Sequence, residues 1–228
     1  MIWLKWKDLP EFMQNPEVRP YYEHLSKIRW QIYIKRCFDI IVALLLIILL
    51  ALPMIIIAVC IKTDSKGKVL FRQERITSFG KVFRIHKFRS MVANAEKIGT
   101  SVTVTGDSRV TRVGRVLRKY RLDELPQLID VIKGDMSFVG TRPEDKKYVS
   151  RYKPEYYATL LLPAGITSEA SIQYKDEYLL LDASTNVDKT YVEQVLPEKM
   201  KYNLASIRNF SLPKEVLTML KTVKAVLS

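Results

Sequence analysis

Residues 40–61 read Ile-Ile-Val-Ala-Leu-Leu-Leu-Ile-Ile-Leu-Leu-Ala-Leu-Pro-Met-Ile-Ile-Ile-Ala-Val-Cys-Ile, 22 positions without one charged side chain. As a helix the run is about 33 Å long at about 1.5 Å per residue. That matches a bilayer hydrocarbon core of about 30 Å, so the segment is expected to sit in a membrane. It is also expected to be retained. It begins only at Ile40, it is longer than a signal-peptide core, and no small-x-small cleavage pattern follows it.

How the run sits depends on two features. Pro53 falls just past its middle, where it removes a backbone hydrogen bond and costs a straight helix about 3 kcal/mol. Cations flank both ends, with Lys27, Arg29, Lys35 and Arg36 before it and Lys62, Lys66 and Lys68 after it. The excess of Lys and Arg that marks cytoplasmic loops therefore assigns no orientation. A helix-break-helix hairpin that dips into the bilayer and returns satisfies both flanks. A spanning helix that tolerates its proline is the alternative, and the run alone leaves both open.

Around this segment the chain of 228 residues carries 37 Lys and Arg against 24 Asp and Glu, a net charge of +13, with 48% hydrophobic residues and two cysteines. That combination excludes a disulfide-stapled secreted module and a disordered basic tail. Residues 62–155 hold 22 basic and 11 acidic side chains, so 11 of the 13 surplus charges fall there. Such a surplus calls for a polyanionic partner: nucleic acid, an anionic membrane surface or a phosphorylated small substrate. Cys37 and Cys60 bracket the apolar run and read as small apolar residues. His24 and His86 stand alone in sequence, which argues against a histidine triad or a zinc site.

The expected fold is mostly α with a small β-hairpin element, a membrane-associated α+β architecture with interfacial amphipathic helices. The first twenty residues read as an interfacial arm rich in Trp and Pro and 21–36 as a basic amphipathic helix leading into the membrane run, with 1–32 as the N-terminal unit. Residues 33–62 are expected to form the membrane segment and 63–228 the domain outside the membrane. Val69–Ile76 and Val82–Phe88 are strand-like around a turn. Residues 92–112 are polar and loop-like. Helical patterns follow at Val113–Tyr120, Asp123–Lys133, Pro143–Leu162, Val187–Ala205 and Pro213–Val226, with Gly134 stopping the second.

Asp123 and Glu124 form an acidic pair inside the basic segment Arg115, Arg118, Lys119, Arg121. Such a pair suits a nucleophile beside a divalent-cation ligand, with the cations gripping phosphate oxygens. It equally suits an N-cap and a first-turn acid. Lys87 and Arg89, the series Arg109, Arg112, Arg115, and Arg142 after the small-residue stretch Gly134–Thr141 are candidate phosphate contacts. They read equally as a solvated or lipid-facing basic surface.

Taken in order, Lys35-Arg36 with Phe38-Asp39, the apolar run broken by Pro53, Phe71-Arg72-Gln73-Glu74-Arg75, Lys87–Met91, Arg112-Val113-Gly114, Leu117-Arg118, Leu122–Leu128 and Lys133–Pro143 resemble the monotopic bacterial sugar transferases, the polyprenol-phosphate phosphoglycosyl transferases, in their short catalytic-core form. The resemblance is dense from Tyr33 to Glu144. It implies a re-entrant helix broken at Pro53 and a bacterial inner-membrane location with the catalytic domain on the cytoplasmic face. It also implies transfer of a sugar 1-phosphate from a UDP-sugar to polyprenol (undecaprenyl) phosphate, releasing UMP, with Mg²⁺. On that resemblance Asp123 is the nucleophile and forms a phosphosugar-aspartate, Glu124 holds the metal, Arg118 grips a phosphate, Lys87 and Arg89 neutralise charge, and Arg142 holds the nucleotide. Arg112 falls in a matching motif.

The chain departs from the family pattern at three positions. Leu52 stands where Ser is frequent before the proline, Thr141 replaces the first Pro of Pro-Arg-Pro, and Arg121 stands where a small polar residue is common. The competing classes are a membrane-tethered nucleic-acid-binding protein, which lacks a groove-reading module and stacking aromatics, and a non-catalytic basic scaffold on anionic lipid. Neither the sugar nor a homodimer is legible in the residues.

Overall fold

The structure, a computed structural model, describes residues 3–95, 107–174 and 186–227. The part of the polar stretch at 96–106 and the segment 175–185 lie outside these residues.

Helix α1 (Arg19–Lys27) is separated by Ile28 from α2 (Arg29–Asp64), so the continuous helix expected over 21–36 is two. The apolar run lies within α2, which continues through Pro53 without a second helix beginning there. It is the one helix among the described residues long and apolar enough to cross a membrane. Most of its side chains are left outside the core, with Ile48, Leu49 and Leu52 between 67% and 75% exposed. A core helix of a soluble protein buries such a face; here lipid is the medium that can cover it.

Both halves of α2 nevertheless hold to one body. Near its start, Arg36 donates to the carbonyls of Val131 and Ile132, the latter at 2.8 Å. At its end, the carboxylate of Asp64 accepts the Val113 amide at 3.0 Å. Between them Ala43, Leu46 and Ile47 pack with Leu128 and Val131, while Met54, Ile57 and Ile61 pack with Phe88 and Leu117.

The expected hairpin is present. Strands β1 (Leu70–Ile76) and β2 (Val82–Phe88) pair antiparallel in the register Leu70↔Phe88 to Ile76↔Val82, closed by a turn with Phe79 and Gly80 at positive φ. Helix α3 (Arg112–Lys119) follows, then a 3-10 turn (Leu122–Glu124) and α4 (Gln127–Lys133), ended by Gly134 at φ +88°.

A second sheet, absent from the sequence reading, pairs β3 (Met136–Val139) with β4 (Ala164–Thr167) in parallel. Between these strands the helix expected over Pro143–Leu162 resolves into a short α5 (Lys146–Val149) and a 3-10 helix (Pro154–Leu161), since Pro154 breaks the pattern. The C-terminal part comprises α6 (Glu169–Gln173), α7 (Val187–Thr190), a π-turn (Tyr191–Val195) into α8 (Leu196–Arg208), and α9 (Leu212–Leu227).

The N-terminal segment, read from its tryptophans as interfacial, belongs to the main core. Leu9, Met13, Val18, Tyr21 and Leu25 are buried with Leu161, Leu196 and Met200, each such side chain contributing about 1.5–3 kcal/mol. Trp3 and Trp6 pack on the ring of Tyr22 at 5.4 and 5.1 Å rather than facing outward as a free arm.

The parallel pair is joined at two glycines. Gly140 donates to Thr167 and Gly165 to Thr141, and a Cβ on Gly165 would lie 2.2 Å from the backbone N and O of Gly140. Backbone cannot yield as a side chain can, so Gly165→Ala is expected to cost about 3 kcal/mol, the upper end for overpacking. Denaturant unfolding in detergent checks this; an unchanged midpoint would mean that the strands separate freely.

Candidate active site

The acidic pair is positioned by its apolar neighbours. Thr111 caps α3 by accepting the Gly114 amide at 3.0 Å, and Gly114 is required because a Cβ there would meet the Ser90 carbonyl at 2.0 Å. After α3 the chain reverses through Arg121, at φ 52°, ψ 23°. Leu122 and Leu125 then pack against the cluster of Ile61, Phe88 and Leu117, which anchors the turn beside the end of the membrane helix. Glu124 is thereby buried and Asp123 half-buried. The N-cap reading of Asp123 does not hold: the 3-10 turn is preceded by Arg121 and α4 by Pro126, neither end carries a side-chain cap, and Asp123 makes no hydrogen bond or ion pair among the described residues.

Glu124 does the opposite. Its Oε1 accepts from Lys87 Nζ at 3.0 Å and from Arg142 Nη2 at 2.6 Å. Lys87 comes from β2 and Arg142 from the loop after β3, so one carboxylate ties two sheets together. Burial alone pushes the Glu124 carboxyl up, but the two cations outweigh it and hold it well below the usual carboxylate range. Burial and the neighbouring Glu124 charge raise Asp123, against the pull of Lys87, Arg118 and Arg142. Burial also lowers Lys87. Two acids thus sit in one cluster with opposite shifts, a pattern concentrated at reactive sites.

The structure brings together Asp123, Glu124, Lys87 and Arg142, with Arg118 at the end of α3 contributing its field. It does not bring Arg89 or Arg112 to them. Arg89 is buried and donates to the carbonyls of Ile61, Ser65 and Lys66, capping the end of α2. Arg112 opens α3 on the exposed surface, its charge bearing on Asp64. Arg89→Ala is accordingly expected to cost about 3 kcal/mol by leaving carbonyls without donors. Thermal unfolding measures it, and a role in phosphate binding alone would leave stability unmoved.

One residue that the sequence reading set aside supports the cluster. His86, next to Lys87 on β2, pairs through Nδ1 with the buried Asp130 of α4 at 2.6 Å, and its amide donates to the same carboxylate at 2.8 Å. This clamp fixes β2 on α4, and with it Lys87 over Glu124. The available signal was a lone acid, Asp130, standing between the apolar Ile129 and Val131.

Beside the cluster lies a cavity of about 230 Å³. Leu46 and Leu50 of α2, Phe138 of β3, Ile172 of α6 and Ala225 of α9 contribute to its walls, and Arg121, Glu124 and Arg142 also line it.

The site is thus an acidic pair set among cations, on a body that carries an unburied apolar helix. Residues 30–228 match the family model described as bacterial sugar transferase, and the chain belongs to that family. It is 38% identical, over 86% of its length, to the UDP-N-acetylgalactosamine-undecaprenyl-phosphate N-acetylgalactosaminephosphotransferase of Aeromonas hydrophila, and spans 44% of that protein. It is 34% identical, over 85% of its length and 70% of the relative, to the UDP-glucose:undecaprenyl-phosphate glucose-1-phosphate transferase of Caulobacter vibrioides. Its identity to the Escherichia coli transferase of the same name is 41% over 61% of the chain and 31% of the relative.

Proposed function

We propose that the protein transfers a sugar 1-phosphate from a UDP-sugar to undecaprenyl phosphate through a covalent phosphosugar on Asp123. The observation that carries this reading is the unequal pair: Glu124 is neutralised by Lys87 and Arg142, whereas Asp123 beside it has no partner among the described residues. A carboxylate without hydrogen-bond donors keeps its lone pairs for attack.

In the first step an Asp123 carboxylate oxygen attacks the β-phosphorus. The bond from that phosphorus to the bridging oxygen breaks, and UMP leaves with the electron pair. In the second, an oxygen of the lipid phosphate attacks the same phosphorus and Asp123 departs as carboxylate. Lys87, Arg118 and Arg142 hold the non-bridging oxygens while charge shifts across them, which is most of what phosphoryl transfer asks of a protein.

The carboxylates also suit Mg²⁺. Among the described residues no group of three or more His, Cys, Asp or Glu forms a metal cage, and Mg²⁺ characteristically takes one or two carboxylates plus substrate phosphates while keeping waters. Glu124, through the oxygen not engaged by the cations, would hold it beside Asp123. Bound there it would neutralise charge on the transferring phosphates.

The membrane segment is read as re-entrant. Its start is tied to α4 and its end to α3 and Arg89. A helix that crossed about 30 Å of hydrocarbon would carry those ends to opposite faces, so their attachment to one body supports entry and return on one face, which requires α2 to bend at Pro53, where the ring removes a backbone hydrogen bond; we assign that face to the cytoplasmic side of the bacterial inner membrane.

The relatives' names carry different sugars, so the test is a donor panel. Protein in nanodiscs with Mg²⁺ and undecaprenyl phosphate is expected to release UMP from one UDP-sugar. No release from any of them, with lipid and nucleotide binding intact, would overturn the reading.

A further inference from the structure

The cavity beside Glu124 has walls and rim of different chemistry. Leu46 and Leu50, one helical turn apart on α2, face Phe138, Ile172 and Ala225 across it. Its rim carries Arg121, whose exposed guanidinium makes no hydrogen bond or ion pair among the described residues. Arg121 also sits in the left-handed region, at φ 52°, which costs a non-glycine residue about 1–2 kcal/mol.

The apolar wall is shared with the membrane helix, whose Leu45, Ile48 and Leu49 are among the most exposed large hydrophobic side chains of the described residues. At about 230 Å³ the space exceeds the apolar cavity of about 150 Å³ that takes a benzene, and so accommodates a five-carbon branched unit. Thr167, Ser171 and Thr222 also line it, but the exposed lining is mostly apolar and offers too few partners for the many hydroxyls of a UDP-sugar. An amphiphile with an apolar tail and an anionic head matches both parts.

Resting on the transferase reading above, we infer that this cavity seats the first isoprene unit of the polyprenol phosphate acceptor, with Arg121 on its phosphate. The acceptor then moves from the leaflet along α2 with its isoprene unit against apolar wall, and presents its phosphate oxygen at the charged end of the cavity, towards Asp123.

The test is photolabelling in nanodiscs with an undecaprenyl phosphate carrying a diazirine on its first isoprene unit, without donor. Labels are expected on Leu50, Phe138 or Ile172. Ala225→Phe, which fills the cavity, should reduce them about tenfold. Arg121→Asn should reduce them several-fold and Arg121→Lys should restore them. Asn tolerates the left-handed backbone and the side chain is exposed, so this variant reports on binding even if Ala225→Phe does not fold. In turnover, Arg121→Asn should raise KM for the lipid about tenfold and leave that for the UDP-sugar unchanged.

Labels confined to Ile48, Leu49 and Leu52 would overturn the inference. So would equal labelling by unphosphorylated undecaprenol, full competition by phosphatidic acid, or a rise in the donor KM instead. Cavity labelling by a protein that turns over no UDP-sugar would sink the catalytic reading and leave the lipid seat standing.

Discussion

Asp123→Asn is expected to abolish UMP release, by about 10⁴-fold or more, the scale on which enzymes lose rate with their nucleophile. The substitution preserves size and removes only the attacking oxygen's charge. Because the native side chain makes no bond or ion pair among the described residues, little stability should go with it, within about 0.5 kcal/mol. Intact-mass measurement after mixing with donor alone should show a phosphosugar adduct on the native protein and none on the variant. A variant that still releases UMP at a tenth of the native rate would remove Asp123 from the chemistry.

Glu124→Gln should act differently. It leaves Lys87 and Arg142 facing a neutral amide, and both are then free to drift from the phosphates they position. A fall of about 10²–10³ in kcat is expected, the cost of losing one electrostatic contact in a preorganised site. The acid side of the pH profile should move as well. Burial and then the Glu124 charge raise Asp123 above its ordinary value, so the nucleophile is lost by protonation as pH falls through that raised value. Removing the Glu124 charge takes away one of these causes and frees two cations that pull the same way. The acid limb of single-turnover UMP release should therefore shift to lower pH. A limb that stays put would mean that another group titrates.

The relation between the two acids also explains what a linear reading recovers. Asp123 and Glu124 are adjacent, and nothing in their order says which is free and which is spent. The difference arises because Lys87 lies 37 residues and Arg142 18 residues from Glu124 in sequence and both converge on the same oxygen. Arg89 makes the converse point. Two residues from Lys87, it resembles another phosphate ligand, but it lies just past the end of β2 and its guanidinium donates to the carbonyls that end α2, where the demand for donors decides its role. Pro154 and the short β3 and β4 strands were missed for local reasons: four-residue strands have too little periodicity to register, and their pairing depends on Gly140 and Gly165 meeting across the fold.

By itself the sequence determined the membrane segment, the β1–β2 hairpin, the helices α3, α8 and α9, the acidic pair and the family, because each is written in composition, in a period of two or 3.6 residues, or in a contiguous motif. Only the tertiary structure decided that both ends of α2 hold to one body, that the N-terminal segment is core, that His86 is clamped by Asp130, and that an apolar cavity runs from the membrane helix to Glu124. Those are properties of residues far apart in the chain, and they exist only once packing has chosen which distant charges and surfaces meet.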